Sequence, residues 1–94
     1  MSRLDDEARA EFLAAHQNWE LHGESITRTY LHPDFVAAMG FVTKVALASE
    51  VADHHPDIDI RWNKVTLVLS THSDGALTAR DTELAARFDG FRSS

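Results

Sequence analysis

The chain has 94 residues, which makes one domain over residues 1–94, and at this size folding buries only roughly 60–65% of the unfolded surface, so a partner subunit would add much. There is no cysteine, which excludes disulfides, thiolate nucleophiles and cysteine-ligated zinc. A net charge of −6 argues against a phosphate backbone as the main partner, because nucleic-acid affinity rests on clustered Lys and Arg.

In chain order, the start Met1-Ser-Arg-Leu-Asp-Asp-Glu7 is acidic and lacks the layout of a secretion signal. No apolar run approaches the roughly eighteen residues a membrane helix needs, so a cytoplasmic protein without a membrane partner is expected. Asp5 to Gln17 reads as a helix, with Leu4, Ala8, Phe12 and Ala15 on one stripe and acids in the first turn. A hairpin follows from about Trp19 to Tyr30, turning at Gly23. Asp34 is placed to cap the longest helix, about Phe35 to Asp53, in which Gly40 suggests close approach to a strand. Pro56 cannot continue that helix and pushes His55 towards extended backbone.

Beyond the proline, Ile58, Ile60 and Trp62 alternate with Asp57, Asp59 and Arg61, giving a strand with one dry and one charged face. Val65, Leu67 and Leu69 define the next strand after a tight connection at Asn63 and Lys64, and Ser70 to Gly75 is a loop. Thr78 with Asp81 has the spacing of a capping box, opening a short helix that ends near Gly90. The expected fold class is α+β, a four-stranded, largely antiparallel sheet with three helices on one face in the order α-β-β-α-β-β-α.

The chemistry is concentrated in imidazoles. His54 and His55 stand together at a helix end where Pro56 limits their direction, and they read either as surface histidines or as a site. Glu50, four residues before His54 on one helical face, is placed to orient that ring, and the helix C-terminus favours a cation there. His72 lies just past a strand, in a loop that the sheet could return to the long helix. Capping explains Asp81 fully, and a second role is compatible if one oxygen caps while the other faces a pocket. Arg80 reads as a solvated charge or a binder, and Trp62 as core packing before stacking. No His-x-x-x-His or His-x-His spacing marks a metal, and no phosphate loop or nucleophile elbow is present. The residues alone reach a small domain with an imidazole acid–base pocket.

An acidic residue, three residues, His-His-Pro, five residues, an aromatic, nine residues, a histidine and a later aspartate resemble the signature of the pterin-4a-carbinolamine dehydratase family, also called the dimerisation-cofactor family. In this chain it reads Glu50, His54-His55-Pro56, Trp62, His72 and Asp81. The resemblance extends through the Trp19 hairpin, the His32-Pro-Asp-Phe entry and the closing Leu84-Ala-Ala-Arg-Phe-Asp89. Departures are Ala76, where relatives often carry a second glycine, and Tyr30-Leu31, where many carry phenylalanines.

The resemblance implies dehydration of 4a-hydroxytetrahydropterin to quinonoid dihydropterin, in tetrahydrobiopterin recycling, without metal or other cofactor. It implies that His54, His55 and His72 line the pocket, His54 and His72 transferring protons and His55 holding the pterin. The Asp53 backbone, Pro56 and the Ser70, Thr71, Ser73 edge would receive the ring, with Glu50, Arg80 and Asp81 in support. It also implies a homodimer or homotetramer, and leaves a non-catalytic dimerisation or assembly factor on the same fold as the alternative.

Overall fold

The computed structural model describes residues 2–92; Met1 and residues 93 and 94, the outer ends of the expected domain, lie outside the described residues. The elements are α1 (Asp6–Ala15), β1 (Glu20–His22), β2 (Ser25–Leu31), α2 (Phe35–Ala52), β3 (Asp57–Arg61), β4 (Lys64–Leu69) and α3 (Ala79–Asp89), with a 3-10 turn at His72–Asp74. This is the expected α-β-β-α-β-β-α order.

Each helix begins on a side-chain acceptor for its open N–H groups. Asp34 accepts from the Ala37 N–H at 2.8 Å, and Thr78 and Asp81 form the capping box that their spacing implied. Asp5 accepts from the Ala8 N–H at 2.8 Å, so it caps α1 from outside instead of lying in its first turn. That helix stops at Ala15, two residues short of the expected end.

The strands run in the order β1-β2-β4-β3, every neighbouring pair antiparallel. The register Ile26↔Leu69, Arg28↔Leu67 and Tyr30↔Val65 puts these residues on one face of the central pair. Ile26, Tyr30, Val65, Leu67 and Leu69 are buried there against Phe41 and Val45 of α2 and Leu84 and Phe88 of α3. Gly23 supplies a φ of 59° between β1 and β2, a conformation that costs glycine little.

The edge strand departs from expectation. Ile58 and Ile60 lie opposite Leu67 and Val65, yet both remain exposed because the helices cover β2 and β4 more fully than β3. Trp62 does not pack in the core: Arg61 already pairs with Lys64, so Trp62 belongs to the turn, with φ 52° and 68% of its surface exposed. Gly40 makes no close approach either, since a Cβ there would meet nothing within 4 Å. Contrary to the expectation for membrane spans, the 18-residue α2 is long and apolar enough to cross one. In this fold it is a core helix on one side, burying Ala38, Phe41, Val45 and Ala48, while Val36, Leu47 and Val51 are exposed on the other.

Polar side chains join the layers. Asp89, at the end of α3, accepts from Trp19 Nε1 at 3.0 Å, from Arg28 Nη1 at 2.8 Å and from the Tyr30 hydroxyl. Burial and that hydrogen bond push the Tyr30 hydroxyl well above the ordinary phenol range, so it remains a donor. His32 donates its backbone N–H to the Asn63 carbonyl at 2.8 Å, and Asn63 Nδ2 returns a bond to the His32 carbonyl at 2.9 Å, clasping the two hairpins. Burial holds the His32 imidazole below its ordinary range.

Arg9 is buried with its guanidinium on the Leu4 carbonyl at 2.8 Å, the Gly23 carbonyl at 3.1 Å and Glu24 Oε1 at 2.7 Å. Glu24 also accepts from the Leu77 N–H at 3.1 Å and meets Arg3 at 3.2 Å. The Arg9 guanidinium is the main reason the Glu24 carboxyl lies at about 2 instead of 4.5. A lowered folded-state value means stabilisation that is complete above 4.5 and lost as pH falls towards 2. Chemical unfolding of wild type and Glu24→Gln across that range should therefore show a stability difference that shrinks with acid; a difference independent of pH would contradict the Arg9 pairing.

Candidate functional site

The site begins where α2 ends. Asp53 adopts left-handed backbone, φ 51° and ψ 44°, and the chain closes with Asp53 N–H on the Glu50 carbonyl at 3.2 Å and His54 N–H on the Ser49 carbonyl at 3.1 Å. This paired closure is a Schellman motif, and aspartate tolerates the left-handed position better than most side chains. Pro56 prevents a return to helix. The reversal sends adjacent histidines to different environments: His54 is buried, whereas the His55 ring is exposed with Nε2 2.7 Å from Glu50 Oε1. The expected Glu50–His54 pairing is therefore corrected to Glu50–His55, because left-handed Asp53 breaks the four-residue helical register.

His54 has another carboxylate. Asp81 is fully buried at the start of α3, and its Oδ1 lies 2.5 Å from His54 Nε2. Its Oδ2 accepts from the Thr78 N–H at 2.9 Å and the Thr71 hydroxyl at 2.8 Å. One oxygen caps the helix as expected, while the other holds the His54 imidazole instead of facing a pocket. The Thr71 and Thr78 hydroxyl oxygens are themselves 2.7 Å apart.

Arg80 completes the junction from the next position. Its Nη2 donates to the Asp53 carbonyl at 2.6 Å, placing a cation on the open C-terminus of α2. Ser70 Oγ donates to the Glu24 carbonyl at 2.7 Å, fixing the end of β4. The chain then crosses Thr71, which pairs with Ala76 through bonds of 3.0 and 3.3 Å, and the enclosed turn carries His72 exposed at its start. Ala76 lies buried inside this closure.

A cleft of about 240 Å³ is lined by Asp53, His54, His55, Ser70, Thr71, His72, Ser73 and Arg80. Elements distant in sequence thus bring the three candidate imidazoles to one opening. Glu50, Pro56 and Asp81 stand outside its lining: Glu50 holds His55, Pro56 shapes the turn and Asp81 holds His54. Since Asp81 engages Nε2, Nδ1 is the His54 nitrogen left for other partners. An imidazole can serve as either a proton donor or a proton acceptor. Among the described residues no three His, Asp or Glu side chains converge as a metal ion would require.

A second cavity of about 260 Å³ shares His54 and Arg80 and adds Ala52, Glu83, Leu84 and Arg87. Sequence reasoning missed Glu83 and Arg87 as neighbours of the site. Their signal was available in helical spacing, since Arg80, Glu83, Leu84 and Arg87 recur at threes and fours on α3.

The model of the family described as pterin 4 alpha carbinolamine dehydratase matches residues 2–91. A protein of Chloroflexus aurantiacus provisionally named pterin-4-alpha-carbinolamine dehydratase is 49% identical over 89 residues, covering 95% of this chain and 96% of its own. A protein of Nocardia farcinica with the same provisional name is 50% identical over 86 residues, covering 92% and 90%. Among solved structures, the transcriptional coactivator/pterin dehydratase from Brucella melitensis superposes with a TM-score of 0.93 at 33% identity, covering 98% of this chain and 100% of that one. A pterin dehydratase-like protein identified as a RuBisCO assembly factor in the alpha-carboxysome shares the fold alone, with a TM-score of 0.66 at 19% identity, covering 81% and 88%. The chain belongs to the pterin-4a-carbinolamine dehydratase family.

Removing Asp81 would take away a helix cap and leave the Thr78 N–H, the Thr71 hydroxyl and the His54 ring without their buried partner. Asp81→Ala should cost about 3 kcal/mol in denaturant unfolding. An unchanged midpoint would contradict the network.

Proposed function

We propose that this member of the pterin-4a-carbinolamine dehydratase family converts a 4a-hydroxytetrahydropterin to quinonoid dihydropterin and water, as a single cytoplasmic domain serving tetrahydrobiopterin recycling. The observation that carries this reading is the cleft in which His54, His55 and His72 meet, with His54 held from behind by Asp81. In the reaction the C4a–O bond breaks, the hydroxyl leaves as water after receiving a proton, and N5 gives up its proton as the C4a–N5 double bond forms. Quinonoid dihydropterin plus water stands at the same oxidation level as the carbinolamine, so the step requires no external oxidant or reductant.

His54 and His72 are the candidates for the two proton transfers, both lining the cleft from separate elements. His55, tied to Glu50 at the rim, is suited to holding the pterin. The Asp53 backbone, Ser70 and Ser73 offer the polar edge beside Thr71, whose own hydroxyl is taken by Asp81, and Arg80 steadies it through the Asp53 carbonyl. Removal of one proton-transfer group should cost about a hundredfold in rate. With chemically prepared carbinolamine, His54→Ala and His72→Ala should each show a loss of this size; near-wild-type rates in both would overturn the assignment.

An oligomer is part of the same reading. The exposed residues Val36, Leu47 and Val51 give α2 an apolar outer face, and β3 leaves a sheet edge open. This face favours a homodimer or homotetramer, and it also supports the alternative of a non-catalytic dimerisation or assembly factor. Sedimentation at micromolar concentration should show a dimer or tetramer that Leu47→Glu weakens. Only monomer in the wild type would contradict this assembly.

A further inference from the structure

We propose that Thr71 and Thr78 are positioning residues that fix which nitrogen of His54 meets the substrate. The proposal rests on the dehydratase reading for its catalytic consequence, while the proton arrangement follows from the hydrogen bonds. Asp81 Oδ2 receives the Thr78 backbone N–H at 2.9 Å, a group that can only donate. The Thr71 hydroxyl donates to the same oxygen at 2.8 Å. Thr71 has one hydroxyl proton, so the proton in its 2.7 Å contact with Thr78 belongs to Thr78. Thr78 Oγ1 accepts in turn from the Arg80 N–H at 3.3 Å.

The direction of donation therefore runs from Arg80 through Thr78 and Thr71 to Asp81. Thr71, Thr78 and Asp81 are each no more than 2% exposed, so water does not readily replace a member of the chain. Reversing it would set the Thr71 and Asp81 lone pairs against each other at 2.8 Å. Asp81 acts in this network as a carboxylate, which only accepts, so the proton in the 2.5 Å contact between Oδ1 and His54 comes from Nε2. His54 thus presents Nδ1 to the pterin, and proton exchange with the substrate occurs at that atom. The hydroxyls touch neither reacting atom in this assignment; they act through Asp81 and His54.

Nitrogen-15 NMR of the substrate-free protein reads the His54 tautomer directly. Wild type should show the Nε2–H form, Thr71→Val a mixture of tautomers, and Thr71→Ser the wild-type form. Asp81→Asn should favour Nδ1–H, because its amide can donate to Nε2. In dehydration kinetics, Thr71→Val should lower kcat by about tenfold with KM little changed, and Thr71→Ser should restore it. A wild-type Nδ1–H tautomer would overturn the proposal, as would a folded Thr71→Val protein with wild-type tautomer and wild-type kcat. The tautomer is measured without substrate, so failure of the dehydratase reading is distinguishable from failure of this one.

Discussion

The carboxylate of Asp81 ties the start of α3 to the end of α2, and the geometry of the cleft depends on that tie. It is fully buried, accepts from a helix N-terminus and a threonine hydroxyl, and lies in hydrogen-bond contact with an imidazole. A buried polar group deprived of its partner costs about 1–3 kcal/mol, a large share of a small domain's stability. The helix start and the His54 ring are consequently parts of one structural unit. Arg80 reinforces the same junction by capping α2 through the Asp53 carbonyl.

Two other carboxylates support the scaffold on either side. Glu24 gathers Arg9, Arg3 and the Leu77 N–H, while its own carbonyl receives the Ser70 hydroxyl that fixes the approach to His72. Asp89 joins the far end of α3 to Trp19, Arg28 and Tyr30. Together they hold the last helix against the sheet while α2 supplies the apolar middle of the core. The imidazole cleft is thereby mounted between elements anchored at both ends, a direct link from packing to site geometry.

Local signals made much of the fold legible. Asp34 and the Thr78–Asp81 pair announced helix starts, alternation identified β4, and Pro56 located the turn after α2. Long-range partners were harder to read because no short pattern encodes them: Arg9 meets Glu24, and Asp89 collects side chains from the loop after α1 and from β2. The reading of Glu50 failed at a single residue, since left-handed Asp53 redirected the next two side chains. The Trp62 error had a similar source in a turn where the strand was continued one residue too far. Family-like spacing selected the three histidines that line the cleft, but the Asp81–His54 contact and the two threonine hydroxyls required the folded arrangement.

The most direct test is a double-mutant cycle between His54→Ala and Asp81→Ala, measured as unfolding free energy. A shared buried hydrogen bond at the helix junction predicts a coupling of about 2 kcal/mol between the two changes. Additivity within about 0.5 kcal/mol would contradict it, because the carboxylate and the imidazole would then contribute independently.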